Sequence, residues 1–216
     1  MTKETYQIAF VKSLDKNFAK RSVFFGNADY EVFHELTPII FEINKCVILE
    51  FHSATITLTN HFLERLLKLA LITNEVGIGP TPMDNWNDVY EEPHKKYDSI
   101  TLGKSIELCK KHDLISEKEK EYLFNTIRDL MRNGFSHADA EKILKGVADE
   151  GIFFQGDFSN PGKLHPVKMN QKKIPVFQSL LIGNFAKANA EPYFDSIFEL
   201  SKRIEKRLLA KYENSK

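Results

Sequence analysis

The sequence predicts a mostly α-helical protein of one domain, and three features lead to this fold class. The 216 residues are enough to bury a sizeable core and fit one large domain. Hydrophobic residues make up 42% and charged residues 28%, which is typical of a folded chain. Apolar residues of several long segments recur every three or four positions, as on one face of a helix. We therefore expect an all-α bundle of roughly four to six helices.

The N-terminal part of the chain shows no helical period. The aromatic cluster after Arg21 fits a short strand, a turn or an anchoring arm, and we expect residues 1–36 to form an irregular N-terminal arm. Thr37-Pro38 predicts a helix start, because a capping hydroxyl precedes a proline whose missing N–H costs nothing in the first turn. Neither glycine nor proline interrupts residues 39–71, so this stretch is either one long helix or two with a break in the Thr-rich residues 53–59.

The middle of the chain alternates loops and helices. Residues 75–98 hold three prolines and two glycines, which predicts a long loop. Apolar spacing predicts a helix over residues 100–114. Ser116 and Glu119 have the spacing of a capping box and should begin the next helix, which ends near Gly134.

The C-terminal part is expected to be irregular before a final helix. Ser136 and Asp139 repeat the capping pattern and predict a short helix to about Gly146. Residues 151–189 are rich in glycine and proline, so we expect surface loops with room for one short strand. Glu191-Pro192 then predicts the start of a C-terminal helix. The expected organisation is one domain with its core at about 37–145 and a C-terminal extension over 146–216.

Charge and cysteine content limit the partners and the compartment. Thirty basic residues balance thirty acidic ones, so any nucleic-acid site must be a local patch. Cys46 and Cys109 are too few for a disulfide framework, which favours a reducing cytoplasm. The N-terminus has no secretory pattern, and no run approaches the ~20 apolar residues of a membrane span, so we expect a cytoplasmic protein without membrane contact. The histidines lack ligand spacing, so neither a metal site nor a cofactor is expected.

The residues that point to chemistry are Arg132 to His137, because the common nucleotide, metalloprotease, hydrolase and redox motifs are absent from the sequence. Arginine is a permanent planar donor for phosphate oxygens, and histidine exchanges protons near neutral pH. In a continuous α-helix Asn133 and His137 share a face, whereas Arg132 is rotated away by about 140°. A break at Gly134 would let all three side chains converge. The combination suits phosphodiester chemistry.

This motif resembles that of the HEPN superfamily, whose members are α-helical and many of which cut RNA without a metal. The family pattern is an arginine, usually followed by a polar residue, and a histidine after four to six residues. Arg132, Asn133 and His137 match it, with four residues between the arginine and the histidine.

Two further features match the same family. Many members carry Glu-x-x-x-Lys on an earlier helix, which Glu64 and Lys68 reproduce, and a Glu or Tyr one turn after the histidine, which Glu141 reproduces. The resemblance covers about residues 37–145. Taken singly, these pairs also fit ordinary surface pairs four residues apart on a helix.

The resemblance implies an endoribonuclease that leaves 2′,3′-cyclic phosphate ends. His137 would act as general base on the ribose 2′-OH, Arg132 would stabilise charge on the phosphoryl oxygens, and Asn133 would orient the phosphate or the histidine. Lys68 would add a phosphate contact, while Glu64 and Glu141 would hold these groups in place. One motif supplies one histidine, so a homodimer with a shared cleft would provide both base and acid.

Two other functions remain open from the sequence. The first is a HEPN-type module that binds RNA, a nucleotide or a partner protein through the same groove without catalysis. The second is a toxin, itself an RNase, that is held silent by a nucleotidyltransferase-type antitoxin. The family association suggests a role in defence or stress response for the ribonuclease in either form. A binding module differs from both forms of the ribonuclease in that Arg132 and His137 need not reach proton-transfer geometry. The sequence does not separate the toxin from the ribonuclease.

Overall fold

The computed structural model describes residues 2–27, 29–136 and 143–214. Within them the chain is mostly helical with one small antiparallel sheet, so the predicted helical class is confirmed and the sheet is an addition to it. The elements are α1 (Lys3–Arg21), α2 (Val23–Asn27), α3 (Thr37–Ile48), α4 (His52–Val76), α5 (Trp86–Tyr97), α6 (Leu102–Lys111), α7 (Glu117–Tyr122), a π-helical segment (Leu123–Ser136), β1 (Glu150–Asp157), β2 (Asn160–Asn170) and α8 (Pro175–Glu213). These described ranges thus hold eight α-helices, more than the four to six expected. None of their helices is long and apolar enough to cross a membrane.

Helix α4 lies at the centre of the fold. It packs against α3, α5, α6, the π segment and α8. One cluster of buried apolar residues runs from Tyr30 to Leu208 and joins these elements. Each large side chain that is fully buried contributes about 1.5–3 kcal/mol. The α4 residues in this cluster are Ile56, Phe62, Leu63, Leu66, Leu67, Ala70 and Leu71.

The uninterrupted stretch before residue 72 forms two helices, and the break lies at residues 49–51 rather than in the Thr-rich patch. Glu50 takes a left-handed backbone with φ 60°, which ends α3. The threonines remain helical because their hydroxyls bond within the helix. Thr55 Oγ1 donates to the Phe51 carbonyl at 3.1 Å, and Thr59 Oγ1 donates to the Thr55 carbonyl at 2.7 Å.

The expectation of an irregular N-terminal arm is wrong, because residues 3–21 form helix α1. The Thr2 side chain caps it by accepting from the Thr5 backbone N–H at 3.2 Å. Its large apolar residues do not form a core stripe, so the sequence shows no helical period there. Those that are exposed are Tyr6, Ile8, Phe10, Val11 and Phe18.

Helix α1 is attached to the body through the buried side chain of Arg21. Its Nε donates to Asn44 Oδ1 of α3 at 3.0 Å, and its Nη1 donates to Asp195 Oδ1 of α8 at 2.8 Å. The guanidinium also lies over the ring of Phe24, 3.9 Å from its centre. Arg21 therefore joins the N-terminal helix to two others, and Lys20 adds an exposed ion pair with Glu191 of α8.

The predicted loop over residues 75–98 is wrong in its second half, because residues 86–97 form helix α5 with Pro93 inside it. A proline inside a helix costs one hydrogen bond. The loss is offset here because Pro93 and Tyr97 are both buried, and the Tyr97 hydroxyl donates to Glu75 Oε2 of α4 at 2.6 Å. Tertiary packing overrides the local signal.

The predicted start of the last helix at Glu191-Pro192 is also wrong. Helix α8 begins at Pro175 and continues through Pro192, since Ala186, Ala190 and Tyr193 are buried on both sides of this proline. The irregular region expected over residues 151–189 instead contains the first part of α8 and the β1–β2 hairpin. The helix expected after Ser136 falls largely on residues 137–142, outside the described residues.

The capping box at Ser116 and Glu119 is confirmed and also connects α7 to α8. Glu119 Oε2 accepts from the Ser116 backbone N–H at 2.7 Å, while Arg203 and Arg207 of α8 contact the same carboxylate at 2.7 and 2.8 Å. Partial burial by itself raises the pKa of Glu119. The hydrogen bonds from Arg207, Ser116 and Arg203 outweigh this effect and lower the pKa from 4.5 to about 2.

We expect Glu119→Gln to lower the free energy of unfolding at pH 7 by about 2 kcal/mol, because the charged bonds are lost while glutamine still caps the helix. The lowered pKa of Glu119 in the folded state stabilises the protein fully above about pH 4.5. This stabilisation is lost as the pH falls toward about 2. The difference in free energy of unfolding between wild type and variant, measured by urea denaturation, should therefore become smaller over that pH range. Glu117→Gln, which removes an exposed ion pair with Lys120, is the control. It should lower the free energy of unfolding by less than about 1 kcal/mol. A gap that stays constant down to pH 3 would contradict this account.

Candidate functional site

The buried side chain of Asn60 connects the predicted site to the core. Its Nδ2 donates to the backbone carbonyl of Met131 at 3.0 Å, and its Oδ1 accepts from the hydroxyl of Tyr193 at 2.7 Å. Asn60 belongs to α4, Met131 to the π segment and Tyr193 to α8. Three elements therefore meet one residue before Arg132.

Glu64 and Lys68 continue the same face of α4. They follow Asn60 at intervals of four residues, so the three side chains lie one above another along the helix. Lys68 Nζ donates to the backbone carbonyl of Asp98, at the end of α5. Burial raises the pKa of Tyr193 well above its ordinary value, and the negative charge of Glu64 adds to the effect.

A groove of about 370 Å³ runs beside this face between α4 and the end of α5. Glu64 and Lys68 line it, which places both predicted supporting residues in one concave site. The groove also contains His61 and His94, to which the sequence assigned no role. His94 Nε2 lies 3.9 Å from Asp98 Oδ1. The groove thus combines permanent cations, carboxylates and imidazoles. Its charged and titratable lining residues are His61, Glu64, Arg65, Lys68, His94 and Asp98.

Arg132 and Asn133 lie in the π segment, which the sequence did not predict. A π-helix has hydrogen bonds from residue i to i+5, is rare, and often occurs at functional sites. This one has 14 residues and is described as far as Ser136, two residues beyond the predicted helix end near Gly134. Buried Leu123, Ile127 and Met131 hold the segment against the core.

The structure describes only some of the predicted site residues in full. Glu64 and Lys68 both line the groove. Arg132 and Asn133 directly follow Met131, whose backbone carbonyl accepts the hydrogen bond from Asn60. The side chains of Arg132 and Asn133, and the whole of His137 and Glu141, lie outside the described residues. No group of three or more potential metal ligands occurs in residues 2–27, 29–136 and 143–214.

Asn60 is the site residue that sequence reasoning missed, and a signal for it was present. It lies three and seven positions before Leu63 and Leu67, so it falls on the buried stripe of α4. A buried amide needs hydrogen-bond partners, which marks such a position as a connection between elements. No sequence rule names the partner, because Met131 contributes a backbone carbonyl.

Comparison of the chain with protein families, with curated proteins and with solved structures finds no match.

We expect Asn60→Leu to destabilise the protein by about 2–4 kcal/mol, because the Met131 carbonyl and the Tyr193 hydroxyl lose their partner inside the core. Adding Tyr193→Phe should recover about 1 kcal/mol by removing one of the two orphaned groups. Urea denaturation measures both effects. Asn189→Leu is the matched control, since among the described residues Asn189 donates to the Phe185 carbonyl of its own helix, and it should cost under about 1 kcal/mol. Equal losses in the two asparagine variants would refute a special role for Asn60.

Proposed function

We propose that this protein is a metal-independent endoribonuclease whose centre combines Arg132, Asn133 and His137 with the α4 face of Glu64 and Lys68. The observation that carries the proposal is the bond from Asn60 Nδ2 to the Met131 carbonyl at 3.0 Å. It fixes the chain next to Arg132 against the helix that bears Glu64 and Lys68. Residues 60 to 68 and 132 to 137 are far apart in sequence, and the fold supports their cooperation.

The π form of the segment removes an objection to this centre. In an α-helix, Arg132 would be rotated by about 140° from a histidine five positions later. Bonds from i to i+5 make positions five apart neighbours along the helix, and five is the sequence spacing from Arg132 to His137. If the π geometry of residues 123–136 continued by one residue, Arg132 and His137 would be neighbours along the helix.

The proposed reaction follows from these side chains. His137 takes the proton of the ribose 2′-OH, whose oxygen attacks the adjacent phosphorus and displaces the 5′-oxygen. Arg132 stabilises charge on the phosphoryl oxygens, and Asn133 orients the phosphate or the histidine. The products are a 2′,3′-cyclic phosphate and a 5′-OH. A second copy of the chain supplies the acid that protonates the leaving oxygen, which makes a homodimer the proposed active form.

Lys68 and Glu64 have supporting roles in this proposal. An ammonium has three donors, so Lys68 can hold the Asp98 carbonyl and still donate to a phosphate. Its bond to Asp98 also fixes the position of its charge in the groove. Glu64 lies between Lys68 and Asn60 and balances the cations of the groove. Glu141, one turn beyond the histidine in sequence, is proposed to orient His137.

The proposal predicts that the purified protein cuts labelled single-stranded RNA in EDTA and leaves an all-deoxy strand of the same sequence intact. His137→Ala should lower the cleavage rate by about 10²–10⁴ and Arg132→Ala by about 10²–10³. Lys68→Ala should lower it by about tenfold, one lost charged contact. His34→Ala, an exposed histidine on another part of the chain, is the control and should cleave like wild type.

Mass spectrometry of the products should find 2′,3′-cyclic phosphate ends. If the folded wild-type protein binds RNA but does not cut it at high concentration, the catalytic proposal fails and a non-catalytic binding module takes its place. Cleavage that persists in His137→Ala would equally refute the assigned base. A cut in the all-deoxy strand would exclude attack by the 2′-OH.

A further inference from the structure

The β1–β2 hairpin stands out from the helical body. It is an antiparallel ribbon in which Glu150 pairs with Asn170 and Phe154 with Pro166. The ring of Phe153 stacks on Phe177 of α8 at 4.2 Å between centres. One face of the ribbon is therefore held against the start of α8, and its other face remains open.

The open face exposes large apolar side chains. Residues that pair across an antiparallel ribbon point to the same side, so Ile152 lies beside Lys168 and Phe154 beside Pro166. The exposed fractions of Ile152 and Phe154 are 64% and 66%. At the tip, the ring of Phe158 is fully exposed. These side chains add little to the stability of the fold, because they stay in water.

Lysines lie on the ribbon and directly after it. Within the two strands and their turn, Lys163 and Lys168 balance Glu150 and Asp157, and Lys172 and Lys173 follow β2. Lys172 pairs with Asp149 at 2.7 Å. Lys163, Lys168 and Lys173 form no ion pair within the described residues.

Exposed rings on a ribbon that carries a lysine on the same face match the chemistry of a single-stranded nucleic acid. Bases stack on aromatic side chains, and phosphates pair with nearby cations. We propose that the hairpin binds single-stranded RNA, with Phe154 and Phe158 stacking on bases and Lys168 contacting phosphates. This inference rests on the proposed function in one respect: it identifies where the RNA substrate is held outside the cleavage centre.

The charge distribution favours RNA over a second copy of the chain as the occupant of this face. Lys168 lies directly beside Ile152, so an apolar contact between two copies would bury this ammonium at a desolvation cost. A polyanion instead gains from each lysine through counterion release. The same lysine thus opposes one occupant and attracts the other.

The test is the affinity of the full chain for an all-deoxy single strand, which the proposed 2′-OH reaction cannot cut. Fluorescence anisotropy over a range of salt concentrations gives both the affinity and its salt dependence. Phe154→Ala and Phe158→Ala should each weaken binding by about tenfold, the loss of one stacked base. Lys168→Gln should make the slope of log K against log salt shallower by about 0.7.

Matched controls lie on the helical body. Tyr6→Ala removes an exposed ring from α1, and Lys45→Gln removes an exposed charge from α3. Both should bind like wild type. Because Phe158 is fully exposed, its removal should leave the thermal unfolding temperature unchanged.

Unchanged affinity in the hairpin variants would overturn the inference. If the hairpin variants lose a dimer in sedimentation while each chain binds the strand with unchanged affinity, the inference is also overturned. The face then belongs to self-association. The proposed function fails separately. If wild type binds the strand through the hairpin but cuts no RNA, the binding inference stands and the ribonuclease proposal falls.

Discussion

The fold and the candidate site both depend on the buried amide of Asn60. An amide in a core must satisfy its donor and its acceptor, and here α8 supplies the hydroxyl of Tyr193 and the π segment supplies the carbonyl of Met131. The central helix is therefore fixed to its two neighbours by directional bonds as well as by apolar packing. The Asn60 bond adds a directional constraint on the register of the π segment against α4.

The sequence predicted the helices whose signals are local. The start of α3 at Thr37, the amphipathic half of α4 and the capping box at Ser116 each depend on neighbouring residues, and the structure contains all three. Helix α5 and the first half of α8 were missed because prolines at 93 and 192 favour a break. Buried neighbours override that preference, and only the tertiary structure reveals them.

The candidate site was likewise predictable only where its signals are local. Glu64 and Lys68 share a face because they are four residues apart, and the groove between α4 and α5 contains both. The contributions of His61 and His94 to that groove were not predictable, because α5 was expected to be a loop. Nor does any sequence rule for α-helices indicate a π-helix, so the i to i+5 spacing near Arg132 appears only in the structure.

The most direct test of the account asks whether the α4 face and the residues from 132 to 137 form one site. Isotope-labelled protein would be titrated with an all-deoxy strand while backbone amide resonances are followed by NMR. We expect the amides of Glu64 and Lys68 and those of residues 132–137 to shift together, with one dissociation constant. If only one of the two groups shifts, or the two give different constants, they do not form one site.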